Sequence, residues 1–234
     1  MEQETISEKP YARGSYNKYD DKEQWIRLSE GCFNDCQYCR ETKECGKEPI
    51  YFDIPEIVRN KVKILDMNLL YKPKARDVIS RLSRIKVNGK SVYYELTCGI
   101  DWRYLNYTTA SLLKQSRFIN IRLAWDYGFE HQYKIKDAIN MLVKARYSRK
   151  SISVFMICDW KIPYSVCCSK LDLLKIWNVK VNDCWFNNVT PPDYQLNYWT
   201  LEKCKDFRKK CRKHNQMILF GIDPELKSRG VTLG

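Results

Sequence analysis

The chain has 234 residues, with 41 Lys or Arg against 28 Asp or Glu and a formal net charge of +13. Its 44% apolar and 13% aromatic content supports one ordinary domain with a sizeable core and argues against disorder. No apolar run reaches the roughly 18 residues of a membrane span, and the polar stretch 1–21 lacks the apolar centre of a secretory signal. A cytoplasmic protein with a short, polar, mobile leader is expected.

In chain order, Gln24 to Leu28 reads as a first strand running into Ser29-Glu30-Gly31 and a group of cysteines. Val62 to Met67 reads as a second strand. Ala75 to Ile85 follows as a helix, with Val78, Ile79, Leu82 and Ile85 on one face. Asn88-Gly89 is a turn, Ser91 to Thr97 a third strand, and Thr108 to Ser116 a helix. Ile119 to Trp125 is a fourth strand, followed by a helix over Ile135 to Ala145 with Ile135, Ala138, Ile139 and Leu142 aligned. Ile152 to Cys158 is a nearly continuous apolar run, as suits a parallel strand buried on both faces. Tyr164 to Trp177 is a helix and Val179 to Trp185 a sixth strand. A loop holding Pro191-Pro192 and a last helix from Thr200 to Lys213 complete the pattern.

Six strand–helix units in alternation predict an α/β fold with a parallel sheet and right-handed crossovers. No glycine fingerprint of a dinucleotide-binding domain follows the first strand, and six units fall short of an eight-fold barrel. The expected architecture is a partial, open (β/α)6 barrel over residues 22–199, with a basic C-terminal helix and tail, 200–234, packed on it. Function in such sheets gathers at the carboxyl ends of the strands. Those ends carry Cys32 to Cys39, Asp66 to Asn68, Cys98 to Arg103, Trp125-Asp126, Cys158-Asp159 and Asp183-Cys184.

Eleven cysteines, an odd number without a secretory signal, argue against a disulfide scaffold. Cys32, Cys36 and Cys39 place three thiols in one short loop. Thiolates are the soft ligands of iron–sulfur clusters, and three of them around a [4Fe–4S] cubane leave one iron open to a cofactor. Two other readings use Cys45 as a fourth ligand: structural zinc, or a closed electron-transfer cluster. Zinc sites usually show two separated ligand pairs, and only one tight group is present here.

The run Cys32-x3-Cys36-x2-Cys39, with Tyr38 before its last cysteine and Gly31 before its first, resembles the signature of the radical SAM superfamily. The segments Leu65 to Leu70, Cys98 to Arg103 and Ile121 to Asp126 are similar to segments of small standalone members. The likeness spans roughly Gln24 to Asn187. It implies that S-adenosyl-L-methionine (SAM) binds the open iron and is cleaved by one electron from a flavodoxin- or ferredoxin-like reductant, giving a 5′-deoxyadenosyl radical. It implies that Tyr38 lies near the adenine. Asp66 and Asn68 stand where the family has a Gly-Gly-Glu-like stretch for the methionine ammonium, and this chain lacks those glycines. Asp101, Arg103 and Asp126 meet the ribose, the methionine carboxylate or the substrate on this reading, and form salt bridges at strand ends on the plainer one. The resemblance names no substrate.

Other residues carry weaker signals. Cys98, Cys158 and Cys184 end three strands and would form an auxiliary site or quench a radical if they converge; buried cysteines otherwise pack as small hydrophobes. Of the adjacent Cys167 and Cys168, one faces the core, while Cys204 and Cys211 share a helix face and pack. His131 and His214 have no metal-ligand partner in sequence. The basic run Lys203 to His214 either rests on phosphates, in keeping with the charge, or forms a solvated outer helix. A contrasting reading of the whole chain is a zinc- or cluster-stabilised nucleic-acid-binding module without catalysis.

Overall fold

A computed structural model describes residues 13–186 and 197–221. The Pro191-Pro192 loop, the leader before residue 13 and the tail after residue 221 lie outside the described residues. Tyr16–Tyr19 (β1) pairs antiparallel with Gln24–Arg27 (β2), and Asp20 Oδ1 closes their turn by accepting from the Lys22 and Glu23 amides at 2.7 and 2.8 Å. The stretch read as a mobile polar leader therefore holds a strand. An outer strand that faces water needs few apolar residues, so its pattern is weak in sequence.

Ser29–Glu30 (β3) and Ile50–Tyr51 (β4) pair antiparallel, and the cysteine loop and the short helix Glu41–Cys45 (α1) lie between them. Next come Lys61–Ile64 (β5) and Ala75–Arg84 (α2). Lys86–Val87 (β6) and Lys90–Ser91 (β7) flank Asn88-Gly89, whose φ values of 49° and 74° suit the mirror-image turn that such a dipeptide favours. The remaining pairs are Tyr93–Leu96 (β8) with Tyr107–Gln115 (α3), Ile121–Ala124 (β9) with Gln132–Lys144 (α4), Ile152–Cys158 (β10) with Tyr164–Trp177 (α5), and Lys180–Trp185 (β11) with Leu201–Phe220 (α6).

The two larger sheets have the orders β1-β2-β5-β8 and β11-β10-β9, and within them every pairing except β1–β2 is parallel. Parallel bridges Tyr94–Phe118 and Ile100–Leu123 join the two, with the Ile119 amide on Tyr94 O and the Ile100 amide on Arg122 O, both at 2.8 Å. The α/β class and parallel pairing match the expectation, and among the described residues the sheet does not close. Strand β10 is buried almost throughout, as its apolar run requires. Ile79 and Leu82 of α2, Ile135, Ile139 and Leu142 of α4, and Val62, Ile64, Leu123 and Val154 of the strands form one core. Each such side chain contributes about 1.5–3 kcal/mol by leaving water.

Helix α6 runs seven residues past its expected end at Lys213. Nothing between Asn215 and Phe220 breaks a helix, and Gly221 ends it at φ 66°. Phe207, Cys211, His214 and Ile218 line its buried face. Asn215 binds β11 through both amide atoms: Oδ1 accepts from the Val181 amide at 2.9 Å and Nδ2 donates to Val181 O at 2.8 Å.

Candidate active site

The cysteine loop is held from three sides. Thr42 Oγ1 donates to Cys32 O at 2.9 Å and to Asn34 O at 2.7 Å, tying the loop to α1. The Gly31 amide donates to Glu41 Oε1 at 2.9 Å, and the Cys32 amide to Gly46 O at 3.2 Å. Gly31 has φ 89°, and a β-carbon there would run into the carbonyl of Glu48. Glycine is needed where the chain turns out of β3 toward the thiols.

Cys32, Cys36 and Cys39 line one cavity of about 560 Å³, together with Tyr38, Asn68, Asp101, Arg103 and Asp126. Eight of the nine residues singled out from sequence thus share one space at the carboxyl ends of the strands. Burial pushes all three thiols above their ordinary value, and their mutual repulsion adds to this for Cys32 and Cys39. Thiols shifted in this direction keep their protons at neutral pH. Among the described residues no three His, Cys, Asp or Glu side chains converge on a single ion.

Asp66 is the exception. It is fully buried outside the cavity, where it accepts from the Leu28 amide at 2.8 Å and from the Ser29 hydroxyl. The Lys72 ammonium stands 4.0 Å away and donates to Ser29 Oγ at 2.8 Å. It props the exit of β2 from below. Burial nevertheless pushes its carboxyl above the usual range and the Lys72 ammonium below its own. Two residues on, Asn68 (φ 45°) lines the cavity, and its Oδ1 is buried without a hydrogen-bond partner.

The polar groups form two clusters. Asp101 holds Arg103 through Nε and Nη2, at 2.9 and 2.5 Å. Asn34 bridges the pair, donating to Asp101 Oδ2 at 3.1 Å and accepting from Arg103 Nη2 at 2.9 Å. Burial works against the Asp101 charge, but Arg103, Asn34 and the Arg103 amide together hold the carboxyl below the usual range. In the second cluster the Tyr38 hydroxyl donates to Asp126 Oδ2 at 2.6 Å. Burial pushes the Asp126 carboxyl up and Tyr38 far up, so the phenol stays the donor. Beneath them lies the fully buried Lys170, which donates to Trp125 O and Tyr127 O at 2.7 and 2.6 Å, either side of Asp126. Burial lowers its pKa to about 8.

The other walls are Met67, Ile100, Trp102, Tyr127, Phe155, Trp185 and Phe186, with His131 beside Trp102 at a ring separation of 5.3 Å. Met67, Ile100, Trp102 and Asn34 fall within the strand-end segments expected to line the site, whereas Tyr127, Phe155, Trp185, Phe186 and Lys170 are not expected there from sequence. For Lys170 a signal existed: it shares the inward helix face of Cys167, Leu171 and Leu174. Of the strand-end cysteines, Cys98 and Cys184 line the cavity, while Cys158 is buried away from it beside Cys167. The three do not converge. Cys45 is also buried outside the cavity, so it does not complete a four-thiol set with the loop. All 11 cysteines are free, and Cys167 rather than Cys168 faces the core.

Among the described residues no helix is long and apolar enough to cross a membrane. No protein-family model and no curated protein matches the sequence. A solved structure, coproporphyrinogen III oxidase (HemN) from Escherichia coli, described as a radical SAM enzyme, is similar over 81% of this chain, with a TM-score of 0.50 and 12% identity. The match covers 50% of that structure, so the chain spans about half its length. The chain has the fold of a radical SAM enzyme.

Proposed function

We propose that the chain is a radical SAM enzyme, with Cys32, Cys36 and Cys39 holding a [4Fe–4S] cluster and the cavity receiving SAM. The observation that carries this is the convergence of the three loop thiols and five other predicted residues on one cavity at the strand ends. The donor set fits: three soft ligands share one loop and Cys45 stands apart, as a cluster with one open iron requires. When bound, the cluster and SAM supply reductive cleavage to methionine and a 5′-deoxyadenosyl radical. Asn68, which lines the cavity, would meet the methionine ammonium. Arg103, aligned by Asp101 and Asn34, meets a carboxylate or a ribose hydroxyl. Tyr38 and Asp126 form one edge of the adenosine site, held in place by Lys170 through the backbone on either side of Asp126. The aromatic walls exclude water from the reacting atoms.

On this reading the two bridged sheets are one open partial (β/α)6 barrel. The reductant is a flavodoxin- or ferredoxin-like protein, and the working compartment is the reducing cytosol. Anaerobically reconstituted protein should bind about four irons per chain and, with dithionite and SAM, release 5′-deoxyadenosine. An intact cluster that cleaves no SAM overturns the assignment. Stoichiometric zinc in colourless protein would support the non-catalytic module instead.

A further inference from the structure

Helix α6 carries more positive charge than its packing uses. Phe207, Cys211, His214 and Ile218 take its inner face. On the opposite face Lys205, Arg208, Lys209 and Arg212 are exposed. Lys210, to one side, is tied to Asp206 at 2.9 Å and to the Tyr164 hydroxyl at 2.7 Å. From Lys205 to Arg212 is about 10 Å along the helix axis, enough for the row to follow successive phosphates of one strand.

This row does not lie at random on the surface. The Arg208 guanidinium sits over the Trp185 ring at 4.4 Å, and Trp185 is one of the cavity walls. The row of cations therefore touches the site already described through Arg208, which is stacked on an aromatic ring of its wall. Cations beside an aromatic ring suit a single strand, which presents phosphates and unstacked bases. A lipid surface would call for an apolar stripe along the same face. The exposed apolar residues of α6 instead stand at its two ends, Leu201 at one and Leu219 and Phe220 at the other.

We propose that the outer face of α6 binds the phosphodiester backbone of a single-stranded nucleic acid and leads it to the mouth of the cavity at Trp185. This goes beyond the radical SAM reading. It is tested by binding, without SAM cleavage, so the two stand or fall separately.

The test is fluorescence anisotropy of the full chain with fluorescein-labelled 20-nucleotide RNA and DNA single strands, over a range of salt concentrations. The comparison is the triple variant Lys205→Gln, Lys209→Gln, Arg212→Gln, which leaves Arg208 on Trp185. Three phosphate contacts give a salt slope of about −2, or about 20-fold in affinity between 50 and 200 mM salt. The triple variant should lose that much of the slope and bind at least tenfold more weakly at 50 mM, with an unchanged circular dichroism spectrum. As a second readout, strand binding should quench tryptophan fluorescence in the wild type and much less in Trp185→Phe. Unchanged affinity and slope in the folded triple variant overturn the proposal. So does equal affinity for a 20-base-pair duplex, or binding to phosphatidylserine vesicles in preference to the oligonucleotides. The RNA and DNA arms decide which nucleic acid is preferred.

Discussion

Lys170→Met tests the support beneath Asp126. Lys170 is fully buried, and burial lowers its pKa from 10.5 to about 8. In the unfolded chain the lysine titrates at its ordinary value. Between pH 8 and 10.5 the unfolded state thus holds a proton that the folded state has released. The contribution of this residue to stability is therefore unfavourable at neutral pH and improves as pH rises through that window. At 1.36 kcal/mol per pH unit the full difference is about 3 kcal/mol, of which about 2–3 kcal/mol falls between pH 7 and pH 10. Methionine has nothing to titrate, so the difference between the two proteins reads Lys170 together with the neighbours it is coupled to, Cys167 and Asp126. The stability of the wild type relative to Lys170→Met should accordingly rise by about 2–3 kcal/mol from pH 7 to pH 10. Urea unfolding of both proteins at the two pH values, under thiol reductant and followed by far-ultraviolet circular dichroism, measures it. A wild-type-minus-variant difference that is the same at both pH values within about 0.5 kcal/mol refutes the reasoning, because the buried ammonium would then titrate as an exposed one.

Other outcomes follow from the site. Ala at Cys32, Cys36 or Cys39 should each abolish the iron–sulfur absorbance of reconstituted protein, whereas Cys45→Ala should keep the wild-type iron content; loss of iron in Cys45→Ala would return the four-thiol readings. Gly31→Ala forces a β-carbon into the Glu48 carbonyl at a positive φ, and should lower unfolding stability by at least about 2 kcal/mol, read from denaturant midpoints. Tyr38→Phe removes the donor to the buried Asp126 carboxylate, and should cost about 1–3 kcal/mol of stability at pH 7. Protonation of Asp126 removes the unmet acceptor, so this loss should shrink as pH falls through its raised pKa. Asn106→Ala deletes the N-cap of α3, which accepts from the Thr109 amide at 2.9 Å, and should cost about 1 kcal/mol in the same assay.

Apolar runs and helical spacing carried enough information to place the strand–helix alternation, because burial on both faces of a parallel sheet leaves little choice of residue type. The ends of β5 and β8 show where that information stops. Asp66 and Asn68 sit two apart, and the chain twists sharply between them, at Asn68 in the left-handed region. One carboxylate is sent under the cysteine loop and one amide into the cavity, a split that no periodicity encodes. At β8 the string Asp101 to Arg103 folds into a single turn in which Asp101 accepts from the Arg103 amide at 3.0 Å, so both side chains reach the same space. The aromatic walls come from separate strands, Phe155 on β10 and Trp185 on β11, and become neighbours only through the sheet. They read in sequence as ordinary core residues.

Asn215 has a meaning beyond its two hydrogen bonds. A side-chain amide carries the same donor and acceptor as a peptide unit, and here it meets Val181 as a neighbouring strand would. The outermost parallel strand is thereby already satisfied near its start, at Val181, by a residue that belongs to a helix. A second molecule seeking to add a strand there must first pull α6 away. Sheet growth from copy to copy at this edge, the usual hazard of an uncovered strand, is hindered by one asparagine and its helix, and the sheet can stay open there without becoming sticky.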